Sequence, residues 1–404
     1  MSCNWEYAKL RELVKNEPLP AMLVDLDCLD ENISRISEMV SKSGKKIRIA
    51  SKSIRVPWLL EYIMKKGGPH FHGIMCFSVP EAAYLASQGF DDLLVAYPTV
   101  GEADLELFYS ITQDGLNISL MADSVGQVEA IHKKWQQIEK PEVKARVCID
   151  VDMSWKPAGL HLGVYRSSIR SLNDFQKVLR KIQESENLKF AGVMGYEAQV
   201  AGMGDRSPFS PLLNPVKKMI KSKSVKDVFA KREAIHQFLQ SQNAEPGIFN
   251  GGGTGSLKST LKEPWLTEVT AGSGFLQSHL FDYYEASQNV PAFCFGLQVS
   301  RISQRGIVTC KSGGFVASGD AGQDKWPVPF LPDGIKMIKN EGFGEVQTPV
   351  QLPQNLDVKL GDPLFFRPAK AGEIAERFKE YILIRNNKII EKVPTYRGLG
   401  QCFY

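Results

Sequence analysis

The chain has 404 residues, 43% hydrophobic and 23% charged, with 49 Lys and Arg against 45 Asp and Glu for a formal net charge of +4. That length exceeds one ordinary domain and leaves room for a second, and the composition is that of a globular protein with a sizeable core. So slight a charge, without any Lys/Arg block, gives no basis for nucleic-acid binding. The cysteines, Cys3, Cys28, Cys76, Cys148, Cys294, Cys310 and Cys402, are odd in number and contain no CxxC pair. Neither a zinc ribbon nor a disulfide framework is indicated, and reduced thiols in a cytoplasmic setting are expected. The opening Met1-Ser-Cys-Asn-Trp-Glu-Tyr7 lacks a basic region followed by an apolar core, and no apolar run would span a bilayer, so neither a signal peptide nor a membrane segment is expected.

In chain order, strands are predicted over 21–26, 47–50, 73–77, 93–96, 118–121, 145–151, 189–193, 247–249 and 268–270. Helices are predicted between them over 30–41, 79–88, 101–111, 124–137, 168–184 and 225–242, the first with an acidic start, Asp30-Glu-Asn32, at the positive end of its dipole. Repeated β/α units imply a parallel sheet, and this many imply closure as a TIM-type β/α barrel over residues 1–284. After Asp282 the texture changes. Residues 292–316 read as strands around a Gln304-Arg-Gly306 turn, followed by short strands at 319–322, 347–352, 363–367 and 381–384 and a hairpin turn at Asn386-Asn-Lys388. A mostly β domain over 285–404 is expected to pack on the barrel, since no low-complexity linker separates the two.

Lys52 falls at the end of the 47–50 strand, just before the apolar segment Pro57-Trp-Leu-Leu-Glu-Tyr-Ile-Met64. Strand ends on the C-terminal face are where a β/α barrel carries its catalytic groups. In partly apolar surroundings a lysine amine is a nucleophile toward an aldehyde; the alternative is a solvated lysine at a strand end. Phe249-Asn-Gly-Gly-Gly-Thr-Gly-Ser256 follows an apolar approach, and Glu268-Val-Thr-Ala-Gly-Ser-Gly274 offers a second small-residue turn. Glycine permits close backbone approach, and free N–H groups in such loops cradle a phosphate, although glycine clusters also mark ordinary turns. The strand-end lysine and two late loops together suggest pyridoxal 5'-phosphate, its phosphate surrounded by Asn250, Gly252, Gly253, Thr254, Gly272, Ser273 and Gly274.

These segments carry a family resemblance. The run Pro18-Leu-Pro-Ala-Met-Leu-Val-Asp-Leu-Asp27 with Asn32, the Lys52 segment and Gly251–Gly253 resemble the alanine racemase-like, fold type III pyridoxal phosphate enzymes. Within these the likeness is to the D-threonine aldolase and D-serine dehydratase branch, with its amino-acid deaminase/aldolases, from about Pro18 to Gly400. Tyr196 in Gly195-Tyr-Glu-Ala-Gln199 and Asp320-Ala-Gly322 support it less strongly. The resemblance implies that Lys52 forms a Schiff base with the cofactor. It implies a homodimer in which the partner's β domain completes each site, with Lys325-Trp-Pro-Val-Pro-Phe330 as a contributor or as ordinary core.

Further roles follow from the resemblance. Related enzymes carry an Arg-x-Gly arginine directed toward the cofactor where this chain has His161, in His161-Leu-Gly-Val-Tyr-Arg166. His161 is then either a donor to the ring oxygen or a base, or a hydrogen-bonded structural histidine. Lys156 is solvated or faces an anionic substrate. Thr270 stands where racemases place an arginine against the pyridine nitrogen. Tyr196 packs beside the cofactor and Gln199 points into the barrel, or both simply fill it. Aldolase and dehydratase relatives carry a divalent metal on a C-terminal His-x-Cys or His-x-Asp pair; in Phe365-Phe-Arg-Pro-Ala-Lys-Ala-Gly-Glu373, Pro368 and Lys370 take those positions. Neither ligates a divalent ion, and Glu345-Val-Gln347 also lacks histidine, so no metal bound in the family manner is expected. Lys370 either acts with its charge on the substrate or is solvated. The function implied is a lyase acting on small D-β-hydroxy amino acids, by retro-aldol cleavage or dehydration. An amino-acid racemase and a non-catalytic cofactor carrier are the alternatives, the 285–404 β domain opposing the carrier.

Overall fold

A computed structural model describes residues 5–137, 143–320 and 322–403. After the strand β1 (Ala21–Asp25), eight parallel strands close into a barrel: β2 (Lys46–Ala50), β3 (Phe71–Cys76), β4 (Leu93–Val95), β5 (Ile118–Ala122), β6 (Ala145–Asp150), β7 (Leu188–Gly195), β8 (Ile248–Gly251) and β9 (Glu268–Ala271). Closure is made by β2 against β9, with Ile47 opposite Val269 and Ile49 opposite Ala271. Leu94, Ala96, Met121, Cys148, Met194 and Ile248 form a separate apolar cluster. The TIM-type barrel expected from the sequence is therefore present.

The first predicted strand departs from that expectation, because β1 is not a barrel strand. It lies in a second, mostly β sheet, antiparallel to β10 (Phe293–Gln304) and parallel to a strand near the C-terminus. The remaining strands there are β11 (Ile307–Lys311), β12 (Val328–Leu331), β13 (Lys336–Met337), β14 (Gln347–Gln351), β15 (Pro363–Arg367), β16 (Glu380–Arg385) and β17 (Lys388–Pro394). The physical reason is that Ala21–Val24 is buried throughout, a fit for a central strand. Asn386 and Asn387, both at positive φ, form the expected β16–β17 turn. No strand spans 319–322, of which Ala321 lies outside the described residues.

Helix boundaries move where caps decide them. The helix predicted over 30–41 runs Leu26–Ser43, because Asp25 caps it, accepting from the N–H groups of Asp27 and Cys28. Ser171 caps the helix Leu172–Glu184 in place of the expected start at Ser168. The helix predicted over 225–242 begins at Asn214, with proline in its first turn; the lysine-rich stretch 217–226 hid its first turns. Cys28 is disulfide-bonded, which corrects the expectation of reduced thiols throughout and which no CxxC spacing announced. Cys76, Cys148, Cys294, Cys310 and Cys402 are free. No helix among the described residues is long and apolar enough to cross a membrane.

The lower end of the barrel interior is charged. Arg48, 0% exposed, donates from Nε and Nη2 to Glu268 at 2.9 and 3.0 Å and from Nη2 to Asp92 at 3.0 Å. His72 bridges the same carboxylates, its Nδ1 2.7 Å from Asp92. Burial alone would raise the Glu268 carboxyl, but Arg48 and His72 outweigh it and hold it down at about 2. Arg48→Met leaves a buried carboxylate without its main partner and should cost about 3–5 kcal/mol in urea unfolding. A loss below about 1 kcal/mol would show the pair to be dispensable. Because the folded value lies below the unfolded one, Glu268's contribution is present above the ordinary carboxylate range. It should be lost as pH falls toward about 2.

Candidate functional site

The C-terminal strand ends converge on one recess. Lys52 sits in the 3-10 turn Ser51–Ser53 directly after β2, and its Nζ donates to the Tyr97 hydroxyl at 3.1 Å. Tyr97, two residues past β4, was not singled out in the sequence, although an aromatic at a barrel strand end is the signal that would have found it. The recess is lined by Lys52, Ser53, Tyr97, Arg166, Tyr196, Asn250, Gly252, Gly253, Thr254, Thr270, Gly272 and Ser273, with Met75, Phe77 and Phe281. Its lining includes no carboxylate.

Two cations, Lys52 and Arg166, stand in the recess. Arg166 lies over the Tyr97 ring at 5.6 Å and the Tyr196 ring at 5.4 Å. Burial pushes the Tyr97 phenol up, but the charges of Lys52 and Arg166 and the bond from Lys52 prevail and hold it below the usual tyrosine value. Burial pushes Tyr196 to about 12. The segment expected to supply His161 thus supplies Arg166 instead. The Trp155–Leu162 bridge folds this segment back, and His161 stacks on Tyr165 at 4.1 Å in an outer cleft. Lys156 is exposed and 3.7 Å from Asp152. Gln199 donates to the Met153 carbonyl at 2.6 Å.

The glycine loops reach the recess, but their donors differ from those expected. The Gly252 N–H goes to Glu197 at 3.1 Å, that of Gly253 to Ser256 at 3.1 Å and that of Gly274 to Thr254 at 3.0 Å. Gly274 itself does not line the recess. The N–H groups of Thr254 and Gly272, one from each loop, have no acceptor among the described residues. The Asn250 amide donates to Glu268 at 2.7 Å and to Thr270 at 2.8 Å. Asn250 therefore braces the recess floor instead of offering its amide to a ligand.

The outer cleft joins Lys52 to the β domain. It is lined by Lys52, His161, Gln199, Lys217, Tyr283, Ser318, Asp324, Lys325, Lys370 and Glu373, among others. Lys370 donates to the Ser318 carbonyl at 2.7 Å and hydroxyl at 3.1 Å, and Lys217 to the Ser210 hydroxyl at 2.6 Å. Pro368, the other position compared with the metal pair, accepts from the His279 N–H at 3.2 Å. Among the described residues no group of three or more His, Cys, Asp and Glu side chains is placed to hold a metal ion.

The β domain also grips the Lys52 turn. Arg55 Nε donates to the Lys52 carbonyl at 3.1 Å and its Nη1 to Glu376 at 2.8 Å. The Tyr396 N–H donates to the Arg55 carbonyl at 2.9 Å, and the Tyr396 hydroxyl to Glu81 at 2.8 Å. Gly372 packs so closely that a Cβ there would lie 1.7 Å from the Lys52 carbonyl oxygen.

Residues 24–272 match the family described as Alanine racemase, N-terminal domain, a span of more than half the chain, and the chain belongs to that family. Among curated proteins none matches the sequence. Solved structures similar to the chain include D-threonine aldolase from Filomicrobium marinum, 18% identical, with a TM-score of 0.77 over 96% of this chain and 97% of that one. D-threo-3-hydroxyaspartate dehydratase from Delftia sp. HT23 is 16% identical, with a TM-score of 0.75 over 95% and 98%. An alanine racemase from Clostridium difficile 630 is 16% identical, with a TM-score of 0.62 over 94% and 99%. At these identities the likeness is one of fold.

The Gly372 contact gives a stability test. Gly372→Ala should lower stability by roughly 1–3 kcal/mol, because the added methyl meets backbone that must shift. Gly126→Ala, in the helix Val125–Gln136 with open space at its Cβ, should be neutral or stabilising by about 0.5–1 kcal/mol. Thermal unfolding of both variants checks the contrast; equal effects would contradict it.

Proposed function

For this member of the alanine racemase N-terminal domain family, we propose that the recess holds pyridoxal 5'-phosphate through Lys52. We propose further that the protein is a lyase acting on D-β-hydroxy amino acids. The observation that carries the reading is a carboxylate-free recess bringing the Lys52 amine, the Arg166 guanidinium and two unpartnered loop N–H groups together. That set suits a ligand with an aldehyde, a phosphate and an aromatic ring. When bound, the cofactor serves as an electron sink for negative charge at the amino acid Cα.

The chain's residues divide the remaining work. Lys52 would supply the amine that holds the aldehyde, and the same amine would move a proton at the amino acid Cα. Tyr97, bonded to Lys52 and lowered in pKa, takes or returns that proton. The Thr254 and Gly272 N–H groups hold the phosphate. Arg166, in place of His161, would supply positive charge to the group held in the recess. In the outer cleft the Lys370 and Lys217 ammonium groups have only neutral partners here, and they bind the substrate carboxylate and stabilise charge developing on its β-oxygen. We read Lys370 as supplying the charge that a divalent metal supplies in metal-dependent lyases. The substrate is a small amino acid. A homodimer is supported by the exposed apolar side chains Leu160, Tyr165, Leu212, Leu213 and Met219, in the segments that supply His161 and Lys217 to this cleft.

Product analysis with D-threonine, D-serine and alanine decides the reaction. An aldehyde with glycine, or a keto acid with ammonia, supports the lyase. Enantiomer alone would establish the racemase reading, and no turnover of any amino acid the carrier reading. Chelator treatment should leave activity intact. Lys370→Met should reduce turnover roughly tenfold or more, with little change in cofactor binding; restoration of a chelated enzyme by added metal would contradict this role.

A further inference from the structure

Behind the recess, on the far side of the glycine loop, four donors converge on one carboxylate. Glu197 is 2% exposed and follows Tyr196 directly after β7. Tyr196 lines the recess while Glu197 lies against the loop. Glu197 Oε2 accepts the Gly252 N–H at 3.1 Å and an N–H of Arg232. Glu197 Oε1 accepts the hydroxyls of Ser256 and Thr260, each at 2.6 Å. The Ser256 oxygen in turn accepts the Gly253 N–H at 3.1 Å. One carboxylate therefore fixes two successive loop amides, directly and through one hydroxyl.

Arg232, 0% exposed, keeps that carboxylate charged in the interior. It bonds Glu197, Glu263 and the Gly195 carbonyl at the end of β7. It also lies where a Cβ on Gly251 would stand, 2.5 Å away, so the loop can approach only as glycine. Burial opposes the ionised form of Glu197, but Arg232 and the two hydroxyls prevail and hold its pKa below the ordinary value. Drawing the Gly252 and Gly253 amides away from the recess leaves the next one, at Thr254, without a protein acceptor.

We propose that Glu197 is a positioning residue for phosphate recognition: it pins the Gly252–Gly253 backbone so that the Thr254 N–H is already presented to the recess before any ligand arrives. The inference rests on the reading of the recess as a pyridoxal phosphate site. Its physical content is preorganisation. A flexible glycine loop would lose conformational freedom on binding an anion, whereas a loop held by a buried ion pair has already lost it.

The test compares pyridoxal phosphate with pyridoxal, which lacks the phosphate, by equilibrium binding to the apo-protein. Wild type should prefer the phosphorylated form. Glu197→Leu should cut that preference by about 10- to 100-fold, the value of hydrogen bonds to a charged group. Glu197→Gln should largely keep it, because its carbonyl still accepts from Gly252 while the Ser256 and Thr260 hydroxyls turn to accept from its amide. Ser256→Ala, a milder change for the case that the leucine variant does not fold, should lower the preference in the same direction. Loss of affinity for both ligands in equal proportion, or an unchanged preference in the Leu and Ala variants, would overturn the inference. A wild type with no preference for the phosphate would refute the reading of the recess itself, and is distinct from either outcome.

Discussion

Glu268 is a carboxylate held inside a barrel, and the polar order of the barrel's interior follows from keeping it charged there. Arg48 and His72 do so from below, and the Asn250 amide approaches from above. An ionised carboxylate only accepts, so the end of the Asn250 amide facing it must be the NH2 group. The same NH2 reaches the hydroxyl of Thr270, a residue that lines the recess. A column of hydrogen bonds thus runs from the lower end of the barrel to the recess floor. Each member is fixed by the one beneath it, which is how a buried polar network gains uniqueness where an apolar core would allow several packings.

A second constraint acts at the rim. Lys52 is at the end of a short strand, where a turn alone would leave its backbone loose. The β domain closes on that turn through Arg55 with Glu376, Tyr396 with Glu81, and the close approach at Gly372. Glu81 is pushed up to about 7, chiefly by burial and against the bonds it accepts, so this contact includes a carboxyl that titrates near neutrality. Barrel and β domain therefore share the work of placing one amine: the barrel supplies Lys52 and the Tyr97 hydroxyl that its amine bonds, and the β domain holds the backbone of the turn that carries it.

Much of this was legible in the sequence because it rests on local pattern. Alternating strands and helices declared the barrel, and the position of Lys52 after an apolar strand declared the rim. What was not legible depends on the path of the chain in space. β1 reads like any other barrel strand; only its pairing with Phe293–Gly296 and Tyr381–Ile384 shows where it belongs. Arg166 and His161 are five positions apart in one irregular segment, and the bridge at Trp155 and Leu162 decides which faces the recess. Glycine spacing announced a loop of close backbone approach, but not which amides remain free, because Glu197 and Ser256 that claim two of them lie elsewhere in sequence or past the turn.

Everything at the rim converges on the Lys52 amine as the proposed carrier of the cofactor. The most direct measurement is borohydride reduction of the pyridoxal phosphate-loaded protein, followed by peptide mapping. A single stable adduct is expected on the peptide containing Lys52, with Lys370 and Lys217 unmodified. An adduct on another lysine, or fixation spread over several, would contradict it.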